Sequence, residues 1–208
     1  MPSLFVFLSF YTSHFAFFTY SIYNETIRIY EQGYFTMKNL YKLLSFIILI
    51  LSFSFSAFSQ SPQAGSVAPD FSLRLQENGK AGDKNVNLSS YKGEVLFLHF
   101  WATWCPPCKK ELPHMEALAK KLAAQGDNAK MKFLAVCISD SQKALTSFMQ
   151  NNGYTFPSAL DEPGKVAMAY GIQGVPTSIL ISPDGKILKI QVGMMSEKQL
   201  EKFVSDYL

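Results

Sequence analysis

The chain has 208 residues, 48% of them hydrophobic, with 19 Lys and Arg against 16 Asp and Glu for a formal net charge of +3. That length admits one or two domains. The charge is near balance and forms no basic stripe, which excludes nucleic acid as the expected partner.

Composition shifts along the chain. Eleven of the 18 Phe precede residue 60, and charges there are sparse. Residues 1–36 are aromatic-rich, lack a basic start, and precede a second methionine; they read as an over-extended start with no domain of its own. The alternative is an extra hydrophobic segment, since Phe5 to Tyr20 is apolar enough to touch a membrane. Residues 37–60 have the outline of a secretory signal peptide. Lys38 and Lys42 form the basic region, Leu43 to Phe58 the apolar run, and Ala57-Phe58-Ser59 the small-residue site. An uncleaved inner-membrane anchor is the rival, although a full span usually needs about 20 apolar residues. The expected location is therefore periplasmic or otherwise extracytoplasmic, and residues 61–208 form the exported domain.

Within that domain, residues 62–69 read as a small-residue linker. Phe71 to Leu73 is a short strand, Glu77 to Lys84 a polar loop, Asn85 to Leu88 a second short strand, and Ser89 to Gly93 a turn. Glu94 to Phe100 is a nearly continuous apolar run, which suits a strand covered on both faces. Pro106 to Gln125 is helical: Leu112, Met115, Leu118 and Leu122 recur at spacings of three and four, and Gly126 ends the run. Pro113 is expected to kink it. Met131 to Ile138 is a second buried strand. Ser141 to Asn151 is a helix with Ser141 as N-cap and Gly153 as terminator. Phe156 to Leu160 is a strand, and Pro163 to Tyr170 a helix ended by Gly171. Thr177 to Ile181 and Lys186 to Val192 flank Asp184-Gly185, a hairpin signal. Ser196 to Leu208 is the final helix. The order β, α, β, α, then hairpin and α gives an α/β fold: a mixed central sheet with helices on both faces.

The chemistry concentrates in Trp101-Ala-Thr-Trp-Cys-Pro-Pro-Cys108. A strand runs into this loop and a helix leaves it, so Cys105 sits at a helix N-terminus, where free amides and the dipole favour a thiolate. Cys108 lies one turn on along the same face. The two sulfurs can bond, with Cys105 expected to be exposed and Cys108 shielded. Pro106 fits the first helical turn. Pro107 also lacks an N–H, so the thiolate loses one usual donor while the Cys108 amide remains. Cys105 should then be less acidic than in strong oxidants, which makes the pair more reducing.

These residues, with Ala68–Leu73, Phe100–Pro113 and Tyr170–Ile187, resemble the thioredoxin superfamily and, more narrowly, its exported TlpA/ResA/CcmG-like thiol–disulfide oxidoreductases. The resemblance covers essentially all of 65–208. It implies a thioredoxin fold with an N-terminal β extension and a redox-active Cys105–Cys108 disulfide. Cys105 would attack, Cys108 would resolve, and the bond before Pro176 would be cis. Trp104, Val175 and Pro176 would bind substrate, the backbone at Val175 pairing with an extended segment. Glu111, three residues after Cys108, matches a glutamate of ResA-like members and would handle the resolving thiol's proton; the plainer reading is a solvated helix glutamate. The partners implied are substrate protein disulfides and a membrane thiol-electron donor of the DsbD/CcdA type, with the protein acting as a monomer and no cofactor.

His99 stands where cytosolic thioredoxins have a buried aspartate. Either it shares proton transfer with Glu111, because histidine titrates near neutral pH, or it is a hydrogen-bonded core residue. Cys137, mid-strand, reads as an inert small hydrophobe. Rival functions fit less well. Zinc needs about four ligands, and one Cys pair with Cys137, His99 and His114 does not supply that spacing; no metal site is expected, although a copper-binding chaperone with two cysteines is conceivable. Covalent haem needs His after the second cysteine, where Lys109 stands. Peroxiredoxins share Ala68-Pro69-Asp70-Phe71, but their reactive cysteine lacks a partner three residues on. A purely binding module has no need of both sulfurs.

Overall fold

The computed structural model describes residues 62–77 and 80–208, and before them isolated positions between 23 and 45. The chain divides into two compact units, Met1–Ser59 and Gln60–Leu208. The expected leader at 37–60 and the segment 1–36 fall mostly outside the described residues. Among the described residues no helix is long and apolar enough to cross a membrane.

The second unit runs β1 (Ser72–Glu77), β2 (Lys80–Asn87), β3 (Val95–Trp101), α1 (Pro106–Gln125), β4 (Met131–Ile138), α2 (Gln142–Asn152), β5 (Ser158–Asp161), α3 (Lys165–Ala169), β6 (Thr177–Ile181), β7 (Ile187–Val192) and α4 (Glu197–Val204). Among the described residues the seven strands form one sheet in the order β2-β1-β5-β4-β3-β6-β7. β3, β4 and β5 are mutually parallel, and β1, β2, β6 and β7 join antiparallel.

All seven residues of β3 are buried. They alternate between two cores, as a two-residue period requires. Val95, Phe97 and Trp101 face a cluster with Leu112, Met115 and Leu118 of α1, Leu145 and Met149 of α2, and Leu200 and Val204 of α4. Leu96, Leu98 and Phe100 face a second cluster with Phe71, Leu73 and α3 residues Val166 and Ala167. Helices thus cover both faces of the sheet.

Helix ends follow local chemistry. α1 begins on two prolines, continues through Pro113 and stops at Gly126. Ser141 Oγ accepts the Ala144 amide at the start of α2, and Gly153, at φ 68°, adopts the left-handed cap. Ser196 and Gln199 form a reciprocal capping box on α4.

The early hairpin differs from expectation. Glu77 and residues 80–84 lie in strands rather than a loop: Glu77 pairs with Lys80 and Gln76 with Ala81, so β2 begins seven residues before Asn87. Lys, Ala, Gly and Asp are poor strand formers, but β2 lies at the sheet edge, where pairing with β1 overrides propensity. Gly82 is required there, since a Cβ would come within 2.8 Å of the Leu75 carbonyl oxygen.

Glu116 anchors α1 from below. The residue is 7% exposed. It accepts the Thr155 N–H at 2.9 Å, the Thr155 hydroxyl at 2.6 Å and the Phe156 N–H at 3.0 Å, and pairs with Lys120 at 3.0 Å. Burial raises its pKa, but these hydrogen bonds outweigh burial and hold the carboxyl below the usual glutamate value. Its stabilisation is therefore present above the unfolded-state value and is lost as pH falls through the lower folded one. Replacing Glu116 with Ala leaves the buried Phe156 amide without its acceptor and should cost about 1–3 kcal/mol at neutral pH, read by denaturant titration. The variant should also show a smaller loss of stability than the parent on acidification.

Candidate functional site

β3 delivers Trp101 and Ala102, both fully buried, to the edge of the helical layer. The chain then turns: the Cys105 N–H bonds the Ala102 carbonyl at 3.2 Å. Cys105, at φ −88° and ψ 109°, is the N-cap of α1, and its Sγ accepts the Cys108 N–H at 3.2 Å. Pro106 and Pro107 offer no N–H between them. Cys105 and Cys108 are joined by a disulfide.

Neither sulfur is openly displayed. Cys108 is fully buried, and Cys105 is 3% exposed, which corrects the expectation of an exposed first cysteine. The physical reason is the loop before β6. Its Val175 carbonyl oxygen lies 3.5 Å from Cys105 Sγ across 70 residues of sequence. The Val175–Pro176 peptide is cis. Trp104 is the exposed member of the motif, at 57%, with its indole N–H donating to the Ser139 carbonyl at 3.3 Å.

Glu111 is fully buried, which rules out a solvated helix glutamate. Its Oε1 accepts the Met195 N–H at 2.8 Å, and its Oε2 has no partner. Burial pushes its pKa up to about 7, against the opposing effect of the Met195 bond. A carboxyl poised there exchanges a proton readily at neutral pH.

His99 is also fully buried. Its Nδ1 lies 2.9 Å from Ser178 Oγ, while Nε2 has no partner. Burial lowers its pKa to about 3, so the ring stays neutral and does not titrate near pH 7. Burial and the Ser178 contact favour the hydrogen-bonded core residue over the proton-sharing reading. Cys137 is buried, and its thiol donates to Asp140 Oδ2 at 3.2 Å. Burial, with the Asp140 charge adding to it, pushes that thiol far up, so it stays protonated. The Lys109 ammonium stands 5.7 Å from the Phe148 ring centroid. Among the described residues no group of three or more His, Cys, Asp or Glu is placed to hold a metal ion.

Two partners escaped the sequence reading. Met195 acts through its backbone N–H, which no side-chain pattern reveals. Asp140 follows β4, and its position at the end of a strand parallel to β3 was the available signal.

Known thiol-disulfide oxidoreductases resemble this chain over most of its second unit. The Redoxin family model matches residues 63–206. The thiol-disulfide oxidoreductase ResA of Bacillus subtilis (strain 168) is 35% identical over 165 residues, which span 76% of this chain and 87% of that protein. A Chlorobium tepidum protein provisionally described as thiol:disulfide interchange protein DsbE is 31% identical with a TM-score of 0.61, covering 71% of this chain and 99% of that one. StoA from Bacillus subtilis is 31% identical with a TM-score of 0.55, covering 66% and 98%.

Because the folded state holds Glu111 protonated up to about 7, it binds a proton that the unfolded chain has released. Stability should therefore fall as pH rises from the usual glutamate range to about 7. Chemical denaturation of the oxidised protein between about pH 5 and pH 8 should show that decline. Glu111→Gln, which keeps the acceptor for Met195, should flatten it.

Proposed function

Because the chain belongs to the Redoxin family and is a thiol–disulfide oxidoreductase of the ResA type, we propose that it works outside the cytoplasm as a reductant of substrate protein disulfides. The observation that carries the exchange chemistry is the Cys105–Cys108 disulfide at the start of α1, with the buried Glu111 carboxyl one helical turn on.

In this reading the Cys105 thiolate attacks one sulfur of a substrate disulfide. That bond breaks, a mixed disulfide forms, and the released substrate thiolate takes up a proton. The Cys108 thiol gives its proton to Glu111 and attacks Cys105 Sγ. The Cys105–Cys108 disulfide forms, and the second substrate thiolate leaves and is protonated. Two electrons pass from the dithiol to the substrate. The reductive direction is supported by the proline pair: the Cys108 N–H donates to Cys105 Sγ at 3.2 Å, and neither intervening residue can add a second bond. A thiolate stabilised by fewer donors makes the dithiol a stronger reductant.

The docking surface follows from exposure. Trp104 is 57%, Val192 67% and Met194 46% exposed. Val192 pairs with Thr177, and the Gly193 N–H bonds the Pro176 carbonyl at 2.8 Å, so this apolar strip adjoins the cis-proline loop. An extended substrate segment would pair with the backbone at Val175 and rest its side chains on the strip.

Thiols outside the cytoplasm tend to be oxidised, so the dithiol must be recharged by a membrane donor of the DsbD/CcdA type. Apocytochrome c before haem attachment is one substrate of the right chemistry.

Reduced Cys108→Ser protein mixed with disulfide-bonded insulin should accumulate a covalent adduct at Cys105, and Cys105→Ser should form none. Glu111→Gln should slow release of the mixed disulfide by about tenfold or more at neutral pH. An adduct on Cys137, or unchanged release in Glu111→Gln, contradicts the assignment.

A further inference from the structure

The loop after β4 holds the loop after β3. The two strands are parallel and in register, with Trp101 opposite Cys137, so their C-terminal ends finish at one level. Asp140, 8% exposed, then reaches across. Its Oδ2 accepts the Thr103 N–H at 2.7 Å and its Oδ1 accepts the Thr103 hydroxyl at 2.8 Å. The Cys137 thiol supplies a third bond to Oδ2 at 3.2 Å. One residue earlier, Ser139 adopts φ 53°, a left-handed conformation uncommon for a residue with a Cβ. Its carbonyl accepts the Trp104 indole N–H at 3.3 Å. Two consecutive residues after β4 thus grip two consecutive residues before Cys105.

We infer that Asp140 is a positioning residue for the thiol chemistry. By fixing Thr103 it keeps the Ala102–Cys105 turn closed and holds Cys105 Sγ over the first free amide of α1. With Ser139 it also sets the direction of Trp104. Cys137 is the support of this clamp: a protonated thiol donates permanently to a carboxylate whose other acceptor positions face the redox loop. This inference rests on Cys105 being the attacking thiol.

Positioning and mere proximity predict opposite signs. A carboxylate acting only as a nearby negative charge disfavours the Cys105 thiolate, so its removal would make Cys105 more acidic. A carboxylate acting through Thr103 favours the thiolate, because release of the turn lets Sγ leave the Cys108 amide and the helix N-terminus. The test is the pH dependence of iodoacetamide alkylation of the reduced full-length protein, with the modified cysteine identified by mass. Asp140→Asn removes the charge and rearranges the bonds. Thr103→Val keeps the charge and removes one bond. The inference expects the Cys105 pKa to rise in both, by about one unit in Asp140→Asn and less in Thr103→Val. An unchanged pKa in both, or a fall in Asp140→Asn with no change in Thr103→Val, overturns it. If Asp140→Asn does not fold, Thr103→Val decides alone: a rise supports the inference and no change overturns it. Alkylation of wild type at Cys108 rather than Cys105 would instead overturn the assignment of the attacking thiol.

Discussion

The hydrogen bond from the Cys108 amide to Cys105 Sγ is the contact on which the dithiol depends. It exists because Cys105 caps α1 rather than entering it, and Cys105 caps α1 because the chain leaving β3 closes a turn at Ala102 before the helix starts. Each amide of a helix's first turn needs an external acceptor, and here a sulfur fills that place. The same geometry brings the second sulfur one turn along, so cap, nucleophile and disulfide are one local structure. Pro106 and Pro107 stiffen it and leave the sulfur with a single nearby backbone donor.

Around that bond the protein packs a largely apolar buried layer. His99 is fully buried, and that burial keeps its ring neutral near pH 7. The one bond to Glu111, from Met195, is too weak to offset desolvation, so the carboxyl titrates near neutrality. The expected cost is stability lost as the pH rises through about 7.

Much of this was legible in the residues. β3 and β4 could be read as buried strands because both of their faces meet a helix layer, which leaves an unbroken apolar run. The bounds of α1 were readable because proline and glycine mark them. Only the end of β2, from Asn85, was readable, because its first half, made of Lys, Ala, Gly and Asp at the sheet edge, carries no hydrophobic period and exists through its pairing with β1. Burial of Cys105 was equally hidden, since the covering Val175 carbonyl lies 70 residues away. The grip of Asp140 on Thr103 spans 37 residues, and the Met195 bond to Glu111 spans 84. Local pattern predicts elements; it does not predict which side chain meets which backbone group after folding.

The central claim is that this dithiol gives electrons rather than takes them. Equilibration of the Cys105–Cys108 pair against glutathione and dithiothreitol buffers, read by alkylation and mass, measures its reduction potential. The account predicts a value near that of thioredoxin, about −270 mV. A value near the strong oxidants, about −120 mV, would contradict it and make the protein a source of disulfides.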